Sequence, residues 1–354
     1  MNVLEVSQLQ THFFTRQGVV KAVDGVDFSL AEGQVLGLVG ESGSGKSVTG
    51  FSILGLVDPP GRVVGGQIRF RGQDLAGCTP AQMRAIRGDR IAMVFQDPLM
   101  TLNPVLRIDT QMIEAIQSHH RVSRRAALDR ACDVLTRVGI SSARERLNAY
   151  PHQFSGGMRQ RVAIAIALIN EPDLIIADEP TTALDVTIQS QILSEVQALT
   201  RDSGTALIWI THDLAVVAGM ADRIAVMYAG RIVETGPTDE VLARPSHPYT
   251  VGLLGSIPGQ GRRGATLAQI PGMAPNMARL PAGCAFAPRC GRVGQGCETA
   301  APEARALWAG RTVRCHHPVA SGPGHGSVDG GAPMQPSVGT PVPPAPVAQE
   351  GGRP

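Results

Sequence analysis

Apolar residues along this chain follow different periods in different regions. From residue 1 to about 30 they alternate with polar ones, in Val3-Leu4-Glu5-Val6, Val19-Val20-Lys21-Ala22-Val23 and Val26-Asp27-Phe28-Ser29-Leu30. Period two predicts antiparallel strands with one buried face. The stretch from Gly65 to Leu75 predicts a further hairpin. Five short runs are apolar almost throughout: Gln34–Val39, Ile91–Phe95, Leu174–Ala177, Ala206–Ile210 and Ile224–Tyr228. These read as buried strands. Between Arg107 and Gly139 the period turns helical. Ser123 can cap a helix that places Ala127, Leu128, Ala131, Val134, Leu135 and Val138 on one face, with Gly139 ending it. Further helices are predicted over Gly156 to Asn170 and from Val186 to about Asp202. Strands alternating with helices place the chain in the α/β class, with a mostly parallel sheet.

Composition bounds the picture without naming a function. The 354 residues are 43% hydrophobic and 18% charged, enough for two or more domains and a large core. A formal net charge of +2 gives no reason to expect a nucleic-acid partner. No apolar run approaches the ~18–20 residues of a membrane-spanning helix. The N-terminus lacks a charged-then-apolar leader, so the chain is expected to be cytosolic, or held at a membrane only through partners. Beyond Pro245 the texture becomes rich in proline, glycine and clustered cysteine. From about Ser321 to Pro354 few large side chains remain, and disorder is expected there.

The chemistry begins at Gly40-Glu41-Ser42-Gly43-Ser44-Gly45-Lys46-Ser47, which follows the first buried strand and matches G-x-x-x-x-G-K-[ST]. Glycines 40, 43 and 45 let the backbone turn its N–H groups toward a phosphate, and the following helix adds positive potential. Ser42, Ser44 and Val48 complete the candidate phosphate-binding set. Lys46 is expected to reach the β- and γ-phosphates, and Ser47 to hold Mg²⁺. A glycine-rich turn that only caps a strand is the plainer alternative. The strand-to-helix context argues against it.

The other half of such a site is legible further on. Leu174-Ile175-Ile176-Ala177-Asp178-Glu179 is an apolar strand ending in two carboxylates. Asp178 is placed to bind Mg²⁺ directly or through water. Glu179 can polarise a water that attacks the γ-phosphate. One acid alone would read as a solvated strand end; a pair after a wholly apolar strand is harder to explain that way.

At Phe154-Ser155-Gly156-Gly157-Met158-Arg159-Gln160-Arg161 the chain resembles the ABC ATPase family, whose signature reads LSGGQ. Gln96 resembles that family's Q-loop glutamine, Ala183-Leu184-Asp185 its D-loop and His212 its switch histidine. The resemblance implies a P-loop NTPase core with an N-terminal antiparallel β subdomain and a helical insertion at about 101–154. It also implies catalytic roles for Glu179, His212 and Gln96, with Ser47, Gln96 and Asp178 at Mg²⁺. In this family two ATPase domains pack head to tail, so Ser155, Gly156 and Gly157 would meet ATP held by a partner's P-loop. Phe13 is the candidate for stacking on adenine, with Phe14 as its rival.

Longer matches narrow the resemblance to oligopeptide/dipeptide permease ATPases. They include Phe95-Gln96-Asp97-Pro98-Leu99-Met100-Thr101-Leu102-Asn103-Pro104, Tyr150-Pro151-His152-Gln153, His247-Pro248-Tyr249-Thr250, Ile270-Pro271-Gly272 and Cys284-Ala285-Phe286-Ala287-Pro288-Arg289-Cys290. They imply an ATPase core over 1–245, a C-terminal extension over 246–320 and an unmatched tail over 321–354. The implied partners are two transmembrane permease subunits, a second ATPase and an extracytoplasmic solute-binding protein. The implied place is the cytoplasmic face of the cell (inner) membrane. Two other classes compete. A repair ATPase would carry a long coiled coil, yet only 58 residues lie between Gln96 and Ser155, and a translation factor would fuse two halves. A non-hydrolysing regulatory subunit has no need of Glu179 and His212.

Of the six cysteines, Cys284, Cys290, Cys297 and Cys315 cluster, with five, six and seventeen residues between them. Four thiolates suit tetrahedral zinc or a [4Fe–4S] cluster, and the resemblance implies the cluster. Buried structural thiols are the alternative without metal.

Overall fold

The structure is a computed structural model and describes residues 1–181, 186–257, 269–308 and 310–319. In chain order the first elements are β1 (Asn2–Thr15), β2 (Gly18–Ala31), β3 (Val35–Val39), α1 (Lys46–Leu54), β4 (Gly61–Phe70), β5 (Gln73–Asp74), α2 (Pro80–Ile86) and β6 (Ile91–Val94). A helical stretch follows, of α3 (Ile108–Gln117), α4 (Arg124–Arg137), α5 (Ala143–Arg146) and α6 (Gly156–Leu168). Next come β7 (Leu174–Asp178), α7 (Val186–Ser203), β8 (Ala206–Thr211), α8 (Leu214–Met220), β9 (Arg223–Tyr228), β10 (Arg231–Pro237), α9 (Thr238–Ala243) and α10 (Pro248–Gly255). Two short strands, β11 (Arg305–Ala306) and β12 (Thr312–Val313), come last.

Among the described residues these strands form two sheets. The alternating N-terminal segments make an antiparallel sheet in the order β2-β1-β4-β5. The apolar runs make the central sheet, ordered β11-β12-β10-β9-β3-β8-β7-β6, in which β9, β3, β8, β7 and β6 run parallel. Period two explains how the layers meet. In the central strands Leu36, Leu38, Ile176, Ile208 and Ile210 join Val3, Leu4, Val6 and Ile68 of the antiparallel sheet in one core, with Ile53 and Leu54 of α1 between them. Their neighbours Val35, Val39, Ile175, Leu207 and Trp209 face the other way and pack on α3, α4, α6, α7 and α8. Strands covered on both faces need apolar residues at every position, which is why these runs do not alternate.

The Ser123 cap forms, its hydroxyl accepting from the Ala126 N–H at 3.2 Å. Ala127, Ala131, Val134 and Leu135 are buried on the face its spacing predicts. Helix α2 is not among the elements the apolar pattern predicts, although Thr79-Pro80-Ala81-Gln82 carries a capping box that the structure forms. Nor is β10, whose strand interrupts its apolar run with Glu234. That carboxylate is fully buried against Arg311, at 2.6 Å. Arg311 precedes β12, so the ion pair seats the last strands on the edge of the central sheet.

Candidate functional site

The phosphate-binding loop leaves β3 and enters α1 through three glycines with positive φ: 156° at Gly40, 77° at Gly43 and 106° at Gly45. Two of them are also sterically required. A Cβ on Gly40 would lie 2.2 Å from the Met227 carbonyl oxygen, and one on Gly45 would lie 2.1 Å from that of Ala22. Lys46 is buried at the start of α1, its Nζ donating to the carbonyls of Gly40 at 2.8 Å and Glu41 at 3.0 Å. Burial pushes its pKa down, while the nearby carboxylates of Glu179, Asp178 and Glu41 push it up. A cation so desolvated gains strongly from an arriving anion. The Ser44 hydroxyl is buried without a hydrogen-bond partner, a donor that a phosphate oxygen would satisfy.

Two strand ends bring the acids to this loop. Asp178 closes β7, is buried, and accepts from Ser47 Oγ at 2.9 Å. Burial raises the Asp178 carboxyl, and the Ser47 hydrogen bond opposes that shift. Glu179 follows in a left-handed conformation, φ 43°, its N–H bonded to the Ile210 carbonyl at 2.9 Å. Its carboxylate meets two polar groups. Gln96 Nε2 donates to Glu179 Oε2 at 3.3 Å, and His212 Nδ1, beyond the end of β8, lies 3.3 Å from the same oxygen. The Glu179 side chain is 15% exposed and that of His212 is 57% exposed, so the carboxylate is sheltered while the imidazole reaches solvent.

These residues line one cleft of about 650 Å³, with Gly40, Ser42, Gly43, Gly45, Lys46, Ser47, Val48, Gln96, Glu179 and His212 on its walls. Glu41 of the loop, Val20 and Ala22 of β2, and Leu253 and Met277 of the C-terminal region complete it. Phe13 is not on these walls. It sits on β1 opposite Gly61 of β4, with its ring against that glycine, while Phe14 lies under the Arg62 guanidinium at 4.4 Å. Ser155, Gly156 and Gly157 are also not on those walls. Ser155 caps α6 by accepting from the Met158 N–H at 3.3 Å, and Gly156 has open space where a side chain would stand. An exposed helix N-terminus of this kind can receive an anion from outside the chain. Asp185 and the rest of Ala183-Leu184-Asp185 lie outside the described residues, as does the 321–354 tail.

The four clustered cysteines come within electrostatic reach of one another, and the Cys284 N–H donates to the Cys297 carbonyl at 2.7 Å. Burial raises the thiols of Cys284 and Cys290 and pushes Cys315 up to about 11, with its neighbours adding to the shift. No group of three or more His, Cys, Asp or Glu among the described residues is arranged to hold a metal ion. The expectation of a [4Fe–4S] or zinc site therefore finds no support in the geometry. Burial favours the protonated thiol at Cys284, Cys290 and Cys315, and Arg292 opposes that shift at Cys290.

A family model described as "ABC transporter" matches residues 23–182, and one described as "Oligopeptide/dipeptide transporter, C-terminal region" matches 233–297. The oligopeptide transport ATP-binding protein OppD of Bacillus subtilis (strain 168) is 52% identical over 257 residues, 72% of each chain. The dipeptide transport ATP-binding protein DppD of the same organism is 52% identical over 266 residues, 75% of this chain and 79% of its own. Among solved structures, the dimeric cassette MJ0796 superposes with TM-score 0.61 at 27% identity, covering 66% of this chain and 98% of its own. A second structure of that cassette, dimeric in a post-hydrolysis state with ADP and Pi, also has TM-score 0.61, at 26% identity and the same coverage.

Proposed function

The chain belongs to the ATP-binding proteins of peptide ABC transporters, and from that premise we propose how its residues couple ATP hydrolysis to import of di- or oligopeptides. The observation that carries this reading is the convergence of Lys46, Ser47, Glu179, Gln96 and His212 on one cleft, with Asp178 hydrogen-bonded to Ser47.

The loop N–H groups and Lys46 hold the β- and γ-phosphates, and the Ser44 hydroxyl fills its missing hydrogen bond there. Ser47, Asp178 and Gln96 hold Mg²⁺, which when bound neutralises phosphate charge as the terminal phosphoryl group leaves. Glu179 orients and polarises the attacking water; His212 and Gln96 position the carboxylate through its Oε2. Ser155, Gly156 and Gly157 close on the γ-phosphate of ATP bound to a second ATPase domain, with Asp185 at the dimer seam. Phe13, against Gly61 of β4, is kept as the adenine-stacking candidate.

The dimer drives two transmembrane permease subunits, fed by an extracytoplasmic solute-binding protein, from the cytoplasmic face of the membrane. Among the described residues no helix is long and apolar enough to cross a membrane, so attachment falls to the helical segment 101–154 and the Gln96 loop. Residues 1–245 act as the ATPase core, 246–320 as an extension and 321–354 as a tail. Uptake is the test. Cells lacking this chain should lose ATP-dependent accumulation of labelled di- and oligopeptides, restored by the unaltered chain but not by Glu179→Gln. Unchanged peptide uptake would reject the peptide-import function.

We further propose that Cys284, Cys290, Cys297 and Cys315 take up a [4Fe–4S] cluster. Their gathering in one place supports this, and their present arrangement does not. No step of ATP chemistry passes through them. Anaerobic purification giving roughly four irons per chain, as four-thiolate ligation implies, would bear this out. Stoichiometric zinc or no metal would reject the cluster.

A further inference from the structure

Arg289, 248 positions away in the chain, closes its fork on the carboxylate of Glu41, the second residue of the phosphate-binding loop. Nη1 donates to Oε2 at 2.7 Å and Nη2 to Oε1 at 3.0 Å. The Arg289 side chain is only 7% exposed. Its Nε donates to the Pro271 carbonyl at 2.9 Å, and its guanidinium lies 5.9 Å from the Tyr228 ring centre. The backbone of Glu41 is gripped as well, its N–H donating to Tyr249 Oη at 2.8 Å. Tyr249 is fully buried and packs on Tyr228 at 4.6 Å and Phe286 at 5.4 Å between ring centres. Both contacts reach the loop from the C-terminal region, which also puts Leu253 and Met277 on the cleft wall.

A carboxylate within a loop that receives a triphosphate opposes its own ligand. Glu41 lines the cleft beside Lys46, and its carbonyl accepts from Lys46 Nζ at 3.0 Å. A bidentate arginine cancels the carboxylate charge and fixes its direction, where a single point charge would do only the first. The Tyr249 hydroxyl at the same time occupies the Glu41 N–H. The loop is thereby held in one shape before nucleotide arrives, so less ordering is left to the binding step.

We propose that Arg289 is a positioning residue for nucleotide binding: it neutralises Glu41 from the C-terminal region and, with Tyr249, clamps the phosphate-binding loop in its ATP-receiving shape. This inference rests on the ATP-binding function proposed above.

The test is ATP binding and steady-state hydrolysis by the full-length chain. Arg289→Met frees the Glu41 carboxylate and should raise the ATP Kd roughly 10-fold, equivalent to about 1.4 kcal/mol. KM should rise with it while kcat changes little. Arg289→Lys keeps the charge without the fork and should fall between. The decisive variant is Arg289→Met with Glu41→Gln, which removes the carboxylate that needs cancelling. It should recover most of the lost affinity. A double variant that binds ATP no better than Arg289→Met overturns the proposal, because damage to packing alone predicts that result. Unchanged affinity in Arg289→Met also overturns it. If Arg289→Met does not fold, Arg289→Lys and Tyr249→Phe take its place, and unchanged Kd in both overturns the clamp. Failure of the unaltered chain to bind ATP would reject the ATP-binding function itself, and this inference with it.

Discussion

Asp178 Oδ1 accepts a 2.9 Å hydrogen bond from Ser47 Oγ, joining the end of β7 to the start of α1 across 131 positions of sequence. Both oxygens are hard donors suited to Mg²⁺. Asp178→Asn removes the charge while keeping the shape. The Mg²⁺ concentration for half-maximal ATPase rate should rise at least about 10-fold, the scale seen when a carboxylate supporting a metal is lost. Burial holds the Asp178 carboxyl above its usual range, so protons compete with the metal as pH falls toward that raised value. The unaltered chain should need more Mg²⁺ at lower pH, and Asp178→Asn should show a flatter dependence. A Mg²⁺ titration at several pH values checks both.

Glu179 shares its Oε2 with Gln96 and His212, each at 3.3 Å. If that oxygen takes the proton of the attacking water, Glu179→Gln should bind ATP normally and lose about 10²–10⁴-fold in turnover. ATP should then hold two copies together, visible as a larger species on a sizing column. Near-normal hydrolysis by this variant would remove Glu179 from the chemistry.

Ser155, Gly156 and Gly157 do not line the cleft of their own chain, which leads to a mixing experiment. Lys46→Ala removes the buried ammonium beside Gly40 and should weaken ATP binding itself. Ser155→Arg puts a bulky side chain at the exposed start of α6 and should leave binding intact but prevent closure. Mixed together, the two variants can form one site with an intact loop and an intact signature. ATP-dependent association should return in the mixture and in neither variant alone. No association in the mixture, with both variants folded, would count against a shared site.

What the sequence made legible follows from how local each signal is. The loop glycines, Lys46, Ser47 and the Asp178-Glu179 pair sit in short motifs whose backbone demands are written in consecutive residues. The central strands were legible because burial on both faces forces uninterrupted apolar runs. β10 was passed over because its inward Glu234 breaks that run, and its partner Arg311 is 77 positions away. The Arg289–Glu41 clamp was equally hidden, since an ion pair between distant loops leaves no period or spacing to read. Phe13 and Phe14 are both candidates for stacking on adenine, and neither lines the cleft. The packing of Phe13 against Gly61 depends on the β1–β4 register, which composition does not carry.

His247 yields a prediction for pH. It caps α10 by accepting the Tyr249 N–H on Nδ1 at 3.0 Å, and its ring lies 5.8 Å from that of Phe286. Burial holds its pKa down at about 4, with the Arg314 backbone opposing the shift. The folded chain therefore keeps His247 neutral at pH values where the unfolded chain, near 6.5, protonates it. A depressed folded value means that this contribution is complete above pH 6.5 and is lost as pH falls toward 4. Between those limits the loss amounts to roughly 3 kcal/mol, from about 1.36 kcal/mol per pH unit. His247→Asn can keep the cap through its side-chain oxygen but has nothing to titrate. Denaturant unfolding across pH 4 to 7 should show the unaltered chain weakening more steeply toward acid than this variant. Parallel curves would mean that His247 is protonated in the folded chain as readily as in the unfolded one.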